Sequence, residues 1–473
     1  MMALPGLPDA KVRVALGQRC RKQMRRLEHK IWKAKDRREN PLALLEASTK
    51  GRVPELVALK NELMAASPFA YFRGAVPVMA YDLSLIPNTG IHNQLCGDAH
   101  VRNLGMFAAQ DGRLVFDIND FDETIVGPFE WDVKRMATSL ILAGRGAGMK
   151  NLHCREAAAV FLERYRTAMG MFARMPVLEV ARYQVRRLQH VPSMGEIFRM
   201  AERATPMHTL LTLTEVEGRV KLAATKGAKK VVKGKSVVPP VAEKPRRVFK
   251  TVPPRLTRVT EEVAEQVLGS LTEYLESLLP ERRHFLAQYR PVDVAFKVVG
   301  TGSVGLRDYC VLMEGNGAKD PLFLQIKEEV ASGYAPYVGA KARRIGLHHG
   351  RRVVEGERAM QLQSDPFLGW TTMEGRDYLV RQLNDHKAAI QLESLKTAAL
   401  LEYAAVCGEM LARGHARAGD CAMIAGYLGR STRFDEAVGS FAVAYANQTE
   451  LDWKQLVQSL KKAGRKLVKQ PAK

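Results

Sequence analysis

The chain has 473 residues, with 72 Lys and Arg against 50 Asp and Glu, a formal charge of +22, 46% hydrophobic residues and 26% charged ones. That apolar content excludes a wholly disordered chain and is enough for roughly two to four cored domains. No apolar run approaches the ~20 residues needed to cross a bilayer, so no membrane span is expected.

Taken in chain order, residues 11–38 come first, with 12 Lys and Arg against Glu28 and Asp36. Leu16, Cys20, Met24, Leu27 and Ile31 recur there every three to four residues, which predicts a basic helix docked along that stripe. Residues 95–135 read LCGDAHVRNLGMFAAQDGRLVFDINDFDETIVGPFEWDVKR. A tight loop entered through Gly97 carries Asp98 and Asn103, and a strand, LVFDI, runs into Asp117, Asp120, Asp122 and Glu123. Residues 221–258 hold 12 Lys and Arg and one acid among Gly, Pro and small residues without helical period, which predicts a linker.

Beyond it, VAFKVVGTGSVGLRDYCVLMEGNGAKDPLFLQIKEEV reads as strand, glycine loop, strand, turn and strand over residues 294–330. A helix candidate, RRVVEGERAMQLQ, a strand, YLVRQL, and a long helix, LLEYAAVCGEMLARGHARAGD, follow. The tail 454–473 adds seven Lys and Arg and no acid as a short basic helix that frays. The three basic segments together carry +28, which leaves −6 for the remainder of the chain. A nucleic-acid role is therefore disfavoured: the basic runs lack aromatic interleaving and any nucleic-acid motif. They suit an acidic partner or solubility instead. Six well-separated cysteines without a CxxC pair, and an N-terminus too polar for a signal peptide, point to a reduced, cytoplasmic protein.

The division expected is a basic helical extension (1–70), part of a helical lobe with the Asp98 loop (71–218), a basic linker (219–258), a β-rich lobe (259–385) and closing helices with a basic tail (386–473).

Carboxylates gathered at a strand end repel one another unless a cation or basic side chain lies between them. A hard divalent ion takes one or two carboxylates, an amide oxygen and phosphate oxygens. Asp98, Asn103 and the strand-end acids supply that set. The run Gly300-Thr301-Gly302-Ser303-Val304-Gly305 fits GxGxxG, a weak pattern alone. A dinucleotide fingerprint requires a helix directly after the glycines. Here a strand follows, and a later strand carries Lys327, which is the arrangement of a phosphate-covering kinase lobe.

These residues carry a resemblance. G-D-A-H-V-R-N is similar to the G-D-x-H-x-x-N loop of aminoglycoside-phosphotransferase-like and choline-kinase-like members of the protein-kinase-like superfamily. Asn119–Glu123 and Gly127–Val133 resemble that family's following segments. The resemblance implies an α+β, two-lobed fold, with a small antiparallel β lobe and a larger helical lobe, that binds ATP and Mg²⁺. It implies Asp98 as the catalytic base, with His100 in the same loop, Asn103 and Asp120 as Mg²⁺ ligands, and Asp132 as the buried brace of the loop. It implies Lys327 and the loop Gly300, Thr301, Gly302, Ser303 and Gly305 on the phosphates. Glu355, or else Glu357, is expected to pair with Lys327. Cys96 departs from the family's histidine, and a long interval after Asp98 makes Asp117 a rival to Asp120.

The glycine loop here follows the Asp98 loop, the reverse of ordinary kinases. A circular permutation cut between the helix at 400–420 and the Asp98 loop accounts for that order. His415–Asp420 are read as that helix's satisfied C-terminus rather than a second functional loop.

The whole chain also resembles the uncharacterised bacterial family called domain of unknown function 2252, through S-P-F-x-[FY]-x-R-G-A at Ser67–Ala75, C-G-D-A-H, F-D-x-N-D-F-D-E, W-D-V-K-R, V-G-T-G-S-V-G and A-G-Y-L-G. Arg73 is a candidate site residue on that ground alone. Transfer of the ATP γ-phosphoryl group to a hydroxyl is the expected activity. The alternatives are transfer of AMP, a nucleotide-binding regulatory protein without turnover and, least favoured, a nucleic-acid-associated protein.

Overall fold

The computed structural model of the protein describes residues 6–109, 111–185, 192–217, 246–298, 300–339, 348–383, 386–390, 392 and 395–464. The core of the basic linker (218–245) and the tail beyond residue 464 lie outside them.

The chain opens with helices α1 (Ala10–Gln23), α2 (Pro41–Ala47), α3 (Pro54–Ala65), α4 (Pro68–Gly74) and α5 (Val76–Ser84). The expected basic helix thus ends at Gln23, and of its apolar stripe Met24 is buried while Leu16 and Leu27 are exposed. The S-P-F motif has a local cause. Ser67 caps α4 by accepting from the Ala70 N–H at 3.0 Å, and Pro68 takes the first turn, where its missing N–H costs nothing.

Strands β1 (His92–Leu95) and β4 (Ile125–Pro128) pair antiparallel, while β2 (Leu104–Ala108) and β3 (Leu114–Ile118) form a hairpin. Helices α6 (Glu130–Gly146), α7 (Asn151–Phe172), α8 (Val177–Arg182), α9 (Pro192–Arg203) and α10 (Pro206–Leu213) follow. The C-terminal helices, α14 (Thr397–Ala418), α15 (Cys421–Leu428) and α16 (Arg433–Lys462), pack back on α6 and α7 around the largest hydrophobic cluster. The first residues of the basic tail thus belong to the 30-residue α16.

The described ends of the linker are strands, β6 (Arg246–Phe249) paired with β5 (Thr214–Glu217), and β7 (Leu256–Arg258). Helices α11 (Glu261–Ser277) and α12 (Pro280–Leu286) lead into β8 (Arg290–Lys297), β9 (Asp308–Glu314) and β10 (Pro321–Glu329). Then come α13 (His349–Met360), β11 (Gly369–Met373), β12 (Arg376–Gln382) and the short β13 (Ala388–Ala389). The large sheet is antiparallel throughout, ordered β11-β12-β10-β9-β8-β7. Strand alternation divides its faces. Leu322, Leu324 and Ile326 join the cluster under α11, so Gln325, Lys327 and Glu329 face the other way, toward the helical body.

The molecule is thus mixed α+β, with small antiparallel sheets and separate hydrophobic clusters for the large sheet and the helical body. No helix among the described residues is long and apolar enough to cross a membrane.

Much of the N-terminal charge is engaged in structure. Arg21 and Arg26 donate to the Tyr427 and Leu428 carbonyls at the end of α15 (2.8 and 2.7 Å), where a helix offers partial negative charge. Arg37 joins Asp82 and Asp452. Gly17 and Gly426 let α1 and α15 touch backbone to backbone, since a Cβ at Gly17 would lie 1.9 Å from the Met423 carbonyl oxygen.

Candidate functional site

The Asp98 loop is pinned from two helices. Asp132, in the first turn of α6, accepts from the Cys96 and Gly97 N–H groups at 2.8 and 3.0 Å, the bracing role expected for it. Ser139, two turns on, accepts from the Val101 N–H at 3.2 Å, and the Tyr403 hydroxyl of α14 donates to the Val101 carbonyl at 2.6 Å. Gly97 adopts φ +81°, and a Cβ there would lie 2.1 Å from the Glu123 carbonyl oxygen, so the position requires glycine. On the remaining side of Asp132 stands His415, at 3.3 Å, which also contacts the Tyr165 hydroxyl at 2.8 Å. Asp420 caps α15 and pairs with Arg13 at 2.8 Å. His415–Asp420 are therefore a satisfied helix end.

Asp98 itself is gripped by Arg135, one turn after Asp132, at 2.6 Å. Burial alone would raise its pKa, but Arg135 and then His100 outweigh it and hold the carboxyl well below the usual carboxylate range. His100 Nδ1 accepts from the Arg102 N–H at 3.2 Å, so the ring proton sits on Nε2, which faces Asp98 at 3.4 Å. Burial pushes this imidazole below its ordinary value despite Asp98.

Asn103 links this loop to the acidic segment. Its amide donates to the Asp98 and Asp120 carbonyls at 3.0 and 2.8 Å, and its buried Oδ1 has no hydrogen-bond partner among the described residues. Burial and the neighbouring Asp122 raise Asp120 to about 6. Asp122 goes the other way. Lys327 overcomes its burial, closing an ion pair with it across 205 residues of sequence, and Ser303 of the glycine loop donates to the same carboxylate at 3.1 Å. Glu329 stands 3.8 Å from Lys327 and is pushed well above its ordinary value by burial and then Asp122.

Asp117 is excluded from this group. Its carboxylate is paired with buried Arg413 and accepts from the Ile118 and Leu362 N–H groups at 2.8 and 3.0 Å, so its lone pairs are committed to structure. Glu355 is also corrected. It turns outward and pairs with Arg351 at 2.7 Å, one helical turn away, and does not reach Lys327. Glu357 is the buried acid of α13, and burial raises it to about 7, with Arg381 the nearest opposing charge.

The glycine loop closes the site from above. Gly300 and Gly305 have φ +64° and +92°, and residues 300–303 line a cavity of about 380 Å³ with Asp98, His100, Asp120 and Asp122. Its outer wall, from the N-terminal helices, carries Arg52, Lys60 and Arg73. The loop is held by its carbonyls: Lys60 donates to Gly302, Arg52 to Val304 and the Val53 N–H to Gly305, at 2.8, 2.7 and 2.7 Å.

Sequence reasoning missed Arg52, Lys60, Arg135 and Arg352. Arg352 donates to the carbonyls of Asp122, Thr124 and Val330, so it stitches α13 to both the acidic segment and the end of β10. Arg135 alone carried a signal, as the last residue of W-D-V-K-R.

The donor set fits a hard divalent ion in part. The Asp120 and Asp122 carboxylates line the cavity, the orphan amide oxygen belongs to Asn103 bonded to the Asp120 backbone, and phosphate oxygens would supply the rest of a Mg²⁺ shell. Among the described residues no three His, Cys, Asp or Glu side chains form a self-sufficient metal site.

No curated protein and no solved structure matches the chain. Residues 52–459 match a family described as an uncharacterised protein conserved in bacteria. That span runs from Arg52 of the cavity to near the end of α16, and so contains every charged residue that lines the cavity. The chain belongs to that bacterial family, domain of unknown function 2252.

Proposed function

We propose that the protein is an ATP-dependent phosphotransferase acting on a hydroxyl group, with a kinase-like, circularly permuted chain. The observation that carries this reading is the meeting, on one 380 Å³ cavity, of the glycine loop with the Asp98 and Asp120 segments. Two sequence motifs some 200 residues apart, the glycine pattern weak alone, share one space of the size that ligand sites have. Lys327 lies on β10, the second strand after the glycine loop, and meets the acidic segment through Asp122, as suits a phosphate-contacting kinase lysine.

The permutation has its own support. The end of α14 abuts β1, where Gly419 leaves no room for a side chain because a Cβ would sit 1.2 Å from Asn93 Oδ1. The helix that would lead into the Asp98 loop therefore ends beside the strand that does lead into it.

In this reading Asp98, kept ionised by Arg135, accepts a hydrogen bond from the acceptor hydroxyl and aligns its oxygen. Mg²⁺ held by Asn103 Oδ1 and Asp120 would offset the charge of the phosphates. Lys327 and the glycine loop would position those phosphates, so that catalysis is positioning and charge stabilisation. Thermal unfolding with ATP, with and without Mg²⁺, tests it on wild type and Asp120→Ala. A Mg²⁺-dependent rise that vanishes in the variant is expected, and no rise at millimolar ATP would sink the reading.

One observation favours a second reading, a nucleotide-binding regulatory protein without turnover. Active kinases need an ion pair between the strand lysine and a helix glutamate, whereas Lys327 pairs with Asp122 and Glu355 with Arg351. ATP binding that persists with no release of ADP, or transfer of label from the α- rather than the γ-phosphate, separates this reading and nucleotidyl transfer from the first.

A further inference from the structure

The cavity has mixed charge. Its lining includes the acids Asp98, Asp120, Asp122, Glu123 and Glu329, and the cations Arg52, Lys60 and Arg73 from the segment that precedes and includes α3 and α4. Lys60 is 2% exposed and reaches only carbonyls, Gly302 at 2.8 Å and Thr301 at 3.5 Å. Arg52 likewise donates to the Ser48 and Val304 carbonyls. Among the described residues neither has a carboxylate within 4 Å.

Carbonyls solvate a cation but do not cancel its charge, and an uncompensated buried ammonium is costly. Burial, then Arg52, pull the Lys60 ammonium down to about 7 against the distant pull of Glu123 and Asp98. An anion in the cavity would remove that cost.

The kinase-type machinery already assigns nucleotide phosphates to Lys327 and to the metal-binding segment. Arg52, Lys60 and Arg73 line the same cavity as the Asp98 loop, and Arg52 and Lys60 reach the glycine loop through its carbonyls. Three cations from one segment suit a dianion.

We infer that Arg52, Lys60 and Arg73 form an anion subsite for the acceptor, so that the molecule presented to Asp98 carries a phosphate group as well as the hydroxyl that reacts. This rests on the phosphotransfer reading of the cavity. The subsite sets specificity by charge and leaves the reacting hydroxyl to Asp98.

The test is isothermal titration of the full chain with inorganic phosphate, glucose 6-phosphate and glucose, each with a non-hydrolysable ATP analogue and Mg²⁺ saturating the nucleotide site. Phosphate and the phosphate ester are expected to bind and glucose not to. Lys60→Gln should weaken phosphate at least tenfold and the ATP analogue much less, the smaller loss reflecting its bond to the Gly302 carbonyl, and Lys60→Arg should restore most of the phosphate affinity. Arg52→Gln provides a second loss should Lys60→Gln fail to fold, as judged by circular dichroism.

Phosphate that fails to bind wild type, or binds Lys60→Gln equally well, overturns the subsite and leaves the phosphotransfer reading standing. Equal losses of phosphate and ATP analogue in Lys60→Gln assign the lysine to the nucleotide and also overturn it. Failure of wild type to bind the ATP analogue at all removes the reading beneath it.

Discussion

Arg135 and Asp98 form a buried ion pair at 2.6 Å, and the same guanidinium donates to the Phe72 carbonyl at 3.0 Å and lies 4.3 Å from the Phe72 ring centroid. The arginine that fixes the charge of Asp98 thus also anchors the Asp98 loop to α4, the helix that carries Arg73. Loop geometry and one element of the cavity's cationic wall share a single side chain.

Removing that arginine leaves a carboxylate without its partner. Arg135→Met is expected to cost about 3–5 kcal/mol of stability and to raise the Asp98 pKa. Pairing it with Asp98→Asn should recover a large part of the loss. Urea unfolding of the two single variants and the double variant measures this coupling, and additive losses would contradict it.

Asp117 and Asp120 should separate cleanly. Asp117→Asn strands Arg413 in the interior and is expected to lower stability by about 3–5 kcal/mol while leaving any Mg²⁺-dependent thermal shift in place. Asp120→Ala should do the reverse, with a small change in stability and loss of the metal dependence. Swapped results would return Asp117 to the metal-binding set.

Gly97→Ala is expected to destabilise the protein and to abolish ligand-induced stabilisation together, because its methyl group would meet the Glu123 backbone and the residue would hold a left-handed φ. Gly112, also at positive φ with nothing within 4 Å of its added Cβ, is the control. Gly112→Ala carries the conformational cost alone and should leave ligand binding intact.

Glu357 predicts a pH dependence. Its carboxyl rises from 4.5 to about 7 through burial, so the folded state binds its proton more tightly than the unfolded chain does. The penalty is absent below pH 4.5, grows as pH rises toward 7 and is complete above it. Glu357→Gln should therefore gain stability relative to wild type with rising pH, to an upper bound on the order of 3 kcal/mol at pH 8. Chemical denaturation at pH 5 and pH 8 reads this directly, and a difference independent of pH would contradict it.

The chain's pattern made local features legible where spacing and chemistry coincide. LVFDI is β3, the GNGAKDP turn joins β9 to β10, and Asp132 reaches the backbone of the Asp98 loop as the resemblance implied. Side-chain direction was less legible. Glu355 and Glu357 differ by two residues, about 200° around a helix, and packing of α13 on the sheet decides which is buried. The cationic wall was illegible because Arg52 and Lys60 touch the glycine loop across about 240 to 250 residues, a tertiary contact without a local signature. The basic N-terminus looked like a solvated face because composition cannot distinguish a surface arginine from one that caps a buried helix end, as Arg21 and Arg26 do.

The two-residue strand β13 pairs with β2 through Ala388 opposite Met106 and Ala389 opposite Gly105. It therefore fastens the chain leaving β12 to the hairpin that begins just after Asn103. One short ladder thus ties the stretch between the large sheet and the C-terminal helices to the strand that starts beside Asn103, so a substitution at Ala388 or Ala389 reaches Asn103 through a single strand of backbone.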